Sequence, residues 1–216
     1  MSINKTYAVL GLGRYGTAVA EELVNNGAEV LAVDICQSNV DNAIKTIPVC
    51  KCADVTEPET IERLGISNVD VVIVAMASNL EASVMAVTLC KEVGVKTVIV
   101  KCGNEMHQKI LKRVGADRVI FPEKESGTRL ARTLLTAGFS EMIELSDDVS
   151  MVEISIKDEW VGKSLIELNL RKKYSINVVA IRREDKITTS VEPTLPLEKG
   201  EALIVIANTM KLKKLK

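Results

Sequence analysis

Short apolar runs recur along the first 123 residues, at Tyr7–Leu10, Val30–Val33, Val49–Cys52, Val71–Ala75, Val98–Val100 and Val119–Phe121. Stretches of helix length separate them. Several runs are apolar at consecutive positions rather than alternating, which predicts parallel strands buried on both faces. Thr56 with Glu59, and Ser78 with Glu81, have the spacing of capping boxes at two helix starts. Gly27, Gly65, Gly94 and Gly115 stand where helix ends tolerate a left-handed residue. In the first helix Tyr15, Val19 and Leu23 fall four apart, a stripe that would face a sheet. The rhythm predicts a Rossmann-like, doubly wound α/β lobe.

The pattern then changes. Glu125 to Gly138 reads as one more helix, with Leu130, Ala131, Leu134 and Leu135 as its apolar stripe, and no strand of the earlier kind follows it. Beyond Glu141 the chain turns strand-rich, at Met142–Leu145, Val152–Ile156, Val178–Ile181 and Ala202–Ile206. A short helix is expected near Ser164–Leu168. Turns are marked by Asp147-Asp148, Asp158-Glu159 and Lys199-Gly200. The expected organisation is a nucleotide-binding lobe over 1–124, a linker helix over 125–140 and a small α/β domain over 141–216. Roughly 75 residues are few for a catalytic domain, since typical domains run to 100 or more.

Composition narrows the class without naming a function. The 216 residues are 47% hydrophobic and 26% charged, with a formal net charge of -1. That balance gives no electrostatic reason to expect nucleic acid or an anionic membrane as partner. The opening Met1-Ser2-Ile3-Asn4-Lys5 leads into a strand-like run and is expected to carry no secretory signal. The longest apolar stretch, Val71 to Ala77, is far short of the roughly 20 residues that span a bilayer. Work at a membrane would therefore need a partner embedded there. Five cysteines, Cys36, Cys50, Cys52, Cys90 and Cys102, show neither zinc-ribbon nor CxxC spacing. They are expected to be small buried hydrophobes in a reducing cytosol.

Gly11-Leu12-Gly13-Arg14-Tyr15-Gly16 follows the first strand and opens the first helix. Alone GxGxxG is a weak signal, but here it has the required strand–turn–helix context, and Asp34 ends the second strand at the expected distance. Gly11 would allow the tight turn, Gly13 the approach of a pyrophosphate and Gly16 close helix–strand packing. The helix N-terminus would offer free amides to phosphate. Asp34 can accept from both ribose hydroxyls and would repel a 2′-phosphate, which disfavours NADP. Arg14 either clamps a terminal phosphate, as ADP or ATP would supply, or is a solvated surface residue. A dinucleotide such as NAD would need a second site for its nicotinamide half. Ile35 beside Asp34, Asp54 and Val55 after the third strand, and Ala75-Met76-Ala77 after the fourth, are contact candidates by position.

A dehydrogenase needs an acid or base and a substrate clamp. His107, the one histidine, aligns with Ile110, Leu111 and Val114 on a helix over Glu105–Val114, as a residue at the core's edge would. Lys101 and Asn104 end the fifth strand and could touch a ligand, but no acid–base pair with His107 is legible. Nucleophile-elbow and metal-hydrolase motifs are absent.

At this point the chain resembles a known family. Lys5 to Asp34, with its glycine loop, is similar to the N-lobe of RCK domains, regulators of potassium conductance. Gly115 to Glu123 is similar to that family's sixth strand and its end. Gly162-Lys163-Ser164-Leu165, Leu168, Arg171, Ile176 to Arg182, Pro193 and Leu197 to Glu201 match the RCK C-lobe in order. The resemblance covers nearly the whole chain, and points in particular to the Ktr and Trk gating subunits of bacterial potassium transporters.

It implies a cytoplasmic regulatory subunit, not an enzyme, held at the inner face of the cell membrane by an integral-membrane partner of the KtrB or TrkH type. It also implies a homodimer bridged by the helix after strand six, and an octameric ring whose shape follows ATP or ADP, with NAD or NADH in some relatives. Gly11, Gly13, Arg14 and Gly16 map to the phosphate loop, Leu12 and Tyr15 lie within it, Asp34 maps to the ribose acid and Lys101 to a base-proximal lysine. Glu123 matches a glutamate that helps hold Mg²⁺ or Ca²⁺ between nucleotides; the alternative is a helix N-terminal charge complementing the dipole. Leu170, Arg171, Asn177, Val178 and Pro193 match a cyclic di-AMP site in the C-lobe, although Lys172-Lys173 and Glu192 alter the charge there. The competing readings are a small NAD-dependent oxidoreductase or nucleotide-sugar enzyme, and a redox-sensing repressor, which would need a winged helix.

Overall fold

The computed structural model describes residues 5–135, 139–146 and 148–208. They form two compact units, residues 1–125 and 126–216. In the first unit, strands β1 (Thr6–Leu10), β2 (Glu29–Asp34), β3 (Val49–Cys52), β4 (Val71–Val74), β5 (Thr97–Lys101) and β6 (Arg118–Ile120) make one sheet of order β3-β2-β1-β4-β5-β6. Every pairing is parallel. Between them run α1 (Arg14–Asn25), α2 (Gln37–Ala43), α3 (Pro58–Arg63), α4 (Leu80–Glu92) and α5 (Glu105–Arg113), and α6 (Pro122–Leu135) follows β6.

Consecutive apolar residues in the strands feed two cores. Ala8, Leu10, Val72 and Val74 pack with Ile61, Ala86, Val87 and Leu111 of α3, α4 and α5. Val9, Val71 and Ile73 pack on the opposite face with Ala20 of α1 and Val40 and Ala43 of α2. Helices on both faces of a parallel sheet are the doubly wound arrangement the sequence predicts. The stripe of α1 is centred differently, however. Gly16 and Ala20 are its buried residues, Val19 and Leu23 pack at the flank, and Tyr15 faces Lys101.

Neither expected capping box forms. Pro58 sets the first turn of α3 behind Glu57, which makes no side-chain cap. The Thr56 hydroxyl instead donates to the Asp54 carboxylate at 2.7 Å, a charge-assisted bond stronger than an ordinary cap. At α4 the cap is Asn79, whose side chain accepts from the Ala82 amide at 3.0 Å. Ser83 takes up nearby carbonyls through its hydroxyl.

The second unit is a five-stranded sheet of order β10-β9-β11-β8-β7, antiparallel throughout. Its strands are β7 (Phe139–Glu144), β8 (Val149–Ser155), β9 (Ile176–Arg183), β10 (Lys186–Thr188) and β11 (Ala202–Asn208). Short helices α7 (Leu165–Leu168) and α8 (Leu170–Tyr174) precede β9. Trp160, Leu168, Leu170, Ile176, Leu203 and Val205 form its core. A capping box starts α7, with Ser164 and Glu167 satisfying each other's amides. Strand β10, wholly exposed, carried little apolar signal. The expected end of the linker helix at Gly138 and the turn residue Asp147 lie outside the described residues. Leu130 and Leu134 of α6 are 61% and 73% exposed. No helix among the described residues is long and apolar enough to cross a membrane.

Two carboxylates pin the strand starts of the first sheet. Asp70 accepts from the Thr6 amide and hydroxyl and pairs with Lys96. Asp117 accepts from the Val98 amide at 2.7 Å and from Lys91 at 3.1 Å. Burial works against the Asp117 charge, but these donors outweigh it and hold its carboxyl below the usual range. A depressed folded value stabilises the fold above the unfolded value of about 3.9, and that contribution fades as pH falls through the folded value. Asp117→Asn is therefore expected to cost about 1 kcal/mol at neutral pH, the surface exposure of the pair keeping the loss small. In urea titrations the deficit should shrink below about pH 4. A deficit of equal size at both pH values would assign the loss to packing instead.

Candidate functional site

The carboxyl ends of β1, β2, β3 and β4 open onto one cleft. It lies where the strand order reverses, with β2 to one side of β1 and β4 to the other. Ligands of open α/β sheets bind at such a crevice. Its volume is about 580 Å³, within the range of small-molecule sites.

The glycine loop forms one wall. The Gly11 amide donates to the Val33 carbonyl at 2.7 Å. At φ +100°, and with the Met76 side chain 2.8 Å from where a Cβ would stand, only glycine fits there. A Cβ on Gly16 would lie 1.9 Å from the Gly11 carbonyl oxygen, so Gly16 is what lets α1 begin against the loop. Gly13 differs. No atom lies within 4 Å of its would-be Cβ, and it caps α1 while lining the cleft. The open space over it suits the approach of a ligand to α1's free amides.

Asp34 closes the loop from β2. One carboxylate oxygen accepts from the Leu12 amide at 2.6 Å and the other from the Cys36 amide at 2.8 Å. On the next strand's end, Asp54 accepts from the amide and hydroxyl of Thr56, which hold its carboxyl below its ordinary value.

Of the residues singled out from sequence, Gly11, Gly13, Asp34, Ile35, Asp54, Val55, Ala75 and Met76 line the cleft. Leu12 is buried in the core, and Gly16 serves packing. Arg14, Tyr15, Ala77 and Lys101 are outside the lining. The cleft adds Asn39, Thr56, Glu57, Ser78, Asn79, Glu81, Ala82 and Met85. Those lie four or five residues past the strand ends or on the first two turns of α4, farther along the chain than a reading of the strand ends alone reaches. Asp34, Asp54, Glu57 and Glu81 make the lining acidic, and it contains no Lys or Arg. A bound anion would have to place its charge over the loop amides.

A second cluster stands at the start of α6. Lys101, only 15% exposed, pairs with Glu123 at 2.7 Å and lies over the Tyr15 ring at 5.3 Å. The lysine's hydrogen bond is the main cause holding the Glu123 carboxyl below its usual range, and Arg14 adds to it. Burial pushes the Tyr15 phenol up, with Glu125 adding to the effect. Lys124 pairs with Glu105 beside it. One carboxylate already facing an ammonium does not make a divalent-cation site. Among the described residues no group of three or more His, Cys, Asp and Glu side chains is placed to hold a metal.

In the second unit, Leu165, Leu170, Arg171, Ile176, Asn177 and Val178 surround a cavity of about 250 Å³. Four of the five residues matched to a cyclic di-AMP site meet here. Pro193 is not in the lining; its carbonyl accepts from the Ile166 amide at 3.2 Å.

Comparison with known proteins gives this geometry a family. The TrkA-N domain model matches residues 7–122 and the TrkA-C domain model residues 149–216. The chain is 36% identical over 98% of its length to Ktr system potassium uptake protein A of Bacillus subtilis (strain 168), covering 95% of that protein. It is 35% identical to potassium uptake protein C of the same strain, over 95% of this chain and 93% of that protein. Protein A of Vibrio alginolyticus is likewise 35% identical, over 97% of this chain and 95% of that protein. Among solved structures, the GsuK RCK domain superposes with a TM-score of 0.56 at 22% identity, over 99% of this chain and 46% of that one. The GsuK channel bound to NAD gives 0.57 at 22% identity, over 98% of this chain and 38% of that one. With both family models in chain order and near-full-length relatives above a third identity, the chain belongs to the RCK family, as a TrkA-N plus TrkA-C protein of the Ktr and Trk potassium-uptake group.

Proposed function

We propose that this chain is the cytoplasmic, nucleotide-sensing subunit of a potassium-uptake system, acting through ligand binding rather than turnover. The observation that carries the reading is the cleft of the first unit. A glycine loop with open space over Gly13, a carboxylate placed for ribose and an acidic floor free of Lys and Arg suit an adenine nucleotide lacking a 2′-phosphate. Its near-full-length relatives are named as potassium uptake proteins.

In this reading Asp34 receives the ribose hydroxyls while keeping the loop folded through the Leu12 amide. The adenine lies toward Asp54, Val55 and Met85, and the phosphates lie over Gly13. Arg14, exposed at the first position of α1, reads the terminal phosphate. The Lys101–Glu123 pair stands past the loop, outside the adenosine cleft. A divalent cation at Glu123 would need a carboxylate from a second subunit and removal of the Lys101 ammonium. The acidic lining favours ADP or ATP, whose charge is concentrated at one end; NAD would use the same ribose acid. Cyclic di-AMP at Arg171 and Asn177 is the corresponding proposal for the second unit. An integral-membrane potassium transporter would be the partner, and membrane association would run through it. Steady turnover of NADH with any small carbonyl substrate would return the oxidoreductase reading.

Three outcomes are expected. Asp34→Ala weakens ATP and AMP alike, by about ten- to a hundredfold in calorimetry, because acceptors for the shared ribose are lost. Unchanged affinity would remove Asp34 from the site.

Arg14→Ala lowers ATP affinity by about the same factor and AMP affinity much less, a charge-assisted bond to the terminal phosphate being worth about 1.5–3 kcal/mol. Equal losses would place Arg14 against the part the two share.

The exposed Leu130 and Leu134 of α6 are assigned to a homodimer contact. Replacing both with Asp should leave a folded protein of half the mass by light scattering, since charges would be desolvated at the interface. A wild type that is monomeric at micromolar concentration would refute the ring.

A further inference from the structure

Two of the five cysteines are exposed, contrary to the expectation that all are buried: Cys36 and Cys52. Cys90 and Cys102 are buried and Cys50 is half-buried. For Cys52 the reason is β3's place at the sheet edge, where alternation gives a side chain a face but nothing to cover it; Cys36 stands at the exposed start of α2. Cys50 turns inward, its thiol on the Ile47 carbonyl at 3.3 Å, while Cys52 sits at the strand's open end.

The two exposed thiols stand close together beside the nucleotide cleft, whose lining includes Ile35 but neither cysteine. Cys52 is the register partner of Asp34, and its sulfur lies 3.4 Å from the Ile35 carbonyl oxygen. Cys36 is the next residue along, and its amide donates to Asp34. Peptide geometry places a carbonyl oxygen about 3 Å from the following Cα, so the Cys52 sulfur lies within about 6 Å of the Cys36 Cα. Ile35 and Asn39, on either side of Cys36, both line the cleft. The thiol pair therefore borders the residue assigned to the ribose.

The two thiols differ in their surroundings. The Cys36 sulfur is 3.1 Å from the Ser38 hydroxyl. That contact first, then the amides of Ser38 and Asn39, hold its thiol below the ordinary value. In the exchange inferred below, Cys36 takes the attacking role and Cys52 the resolving one.

We infer that Cys36 and Cys52 form a redox-responsive dithiol that couples oxidation by small disulfides to loss of nucleotide binding. The Cys36 thiolate attacks a small disulfide, forming a mixed disulfide and releasing one thiolate. The Cys52 thiol, losing its proton to solvent, then attacks the Cys36 sulfur, closes the protein disulfide and releases the second thiolate. Overall the two cysteines are oxidised and one disulfide is reduced to two thiols. Closing the bond pulls Cys36 toward β3, and its amide leaves the Asp34 carboxylate that the loop and the ribose share. The binding consequence rests on the function proposed above; the thiol chemistry does not.

The full chain would be treated with 2-hydroxyethyl disulfide under native conditions and analysed by intact mass and peptide mapping. ATP affinity would be measured before treatment, after it, and after reduction with dithiothreitol. The expected result is a loss of two hydrogens mapped to a Cys36–Cys52 cross-link. ATP affinity should fall about tenfold, as loss of a single charge-assisted hydrogen bond would give, and recover on reduction. Cys52→Ser should stop at a mixed disulfide on Cys36, and Cys36→Ser should form neither product. A cross-link through Cys50, failure of both exposed cysteines to react, or a Cys36–Cys52 bond with unchanged ATP affinity would overturn the inference. If the reduced protein binds no adenine nucleotide, the function proposed above fails, and the peptide map alone decides the thiol pair.

Discussion

The Asp34 carboxylate spans three elements with two hydrogen bonds. Through one oxygen it fixes the Leu12 amide in the loop after β1, and through the other the Cys36 amide at the start of α2. The Gly11 amide completes the tie from the loop to Val33 on the same strand. These bonds hold the turn after β1 against the end of β2, where α1 begins. A charged acceptor serves better than a neutral one because bonds to a carboxylate are roughly twice as strong. The ligand reading asks the same group to receive a ribose, so loop order and ligand affinity are coupled at one side chain.

This coupling explains which parts of the fold and site were legible in the sequence. Gly11 is dictated by its positive φ and the Met76 side chain, and Gly16 by the Gly11 carbonyl, so their spacing carried the loop reliably. The buried strands were legible because β4 is apolar at every position and buried at every position. Caps were less so. Ser78 and Asn79 are both good capping residues, and the spacing to Glu81 pointed to the wrong one. Thr56 was lost to a stronger acceptor, Asp54, two residues before it. Strand β10 is three residues long, exposed and apolar only at Ile187, held by pairing to β9 alone, and gave periodicity too little to detect.

The lysine at the end of β5 shows a different limit. Lys101 was read as a residue that could touch a ligand, yet it stands outside the cleft lining, against Glu123, which lies 22 residues away on another element. Such pairs are made by topology, which brings the β5 end and the α6 start together on the far side of α1. The cysteines fail for a related reason. Burial was expected of all five, yet the position of β3 at the sheet edge leaves Cys52 uncovered while Cys50 is half-buried.

Charge then sets the direction in which the cleft can be used. Four carboxylates line it while the nearby cations, Arg14 and Lys101, stand outside, past the glycine loop. A ligand with an uncharged, hydrogen-bonding end and an anionic end has one favourable orientation in that field, base inward and phosphates toward the loop. In the function proposed above, the anionic end would approach Arg14 and the ion pair at the first turn of α6. A phosphate there would compete with Glu123 for the Lys101 ammonium, and neighbouring Lys124–Glu105 contacts anchor the same turn. On the function proposed above, the number of phosphates, rather than the presence of adenosine, would bear on the first turn of α6.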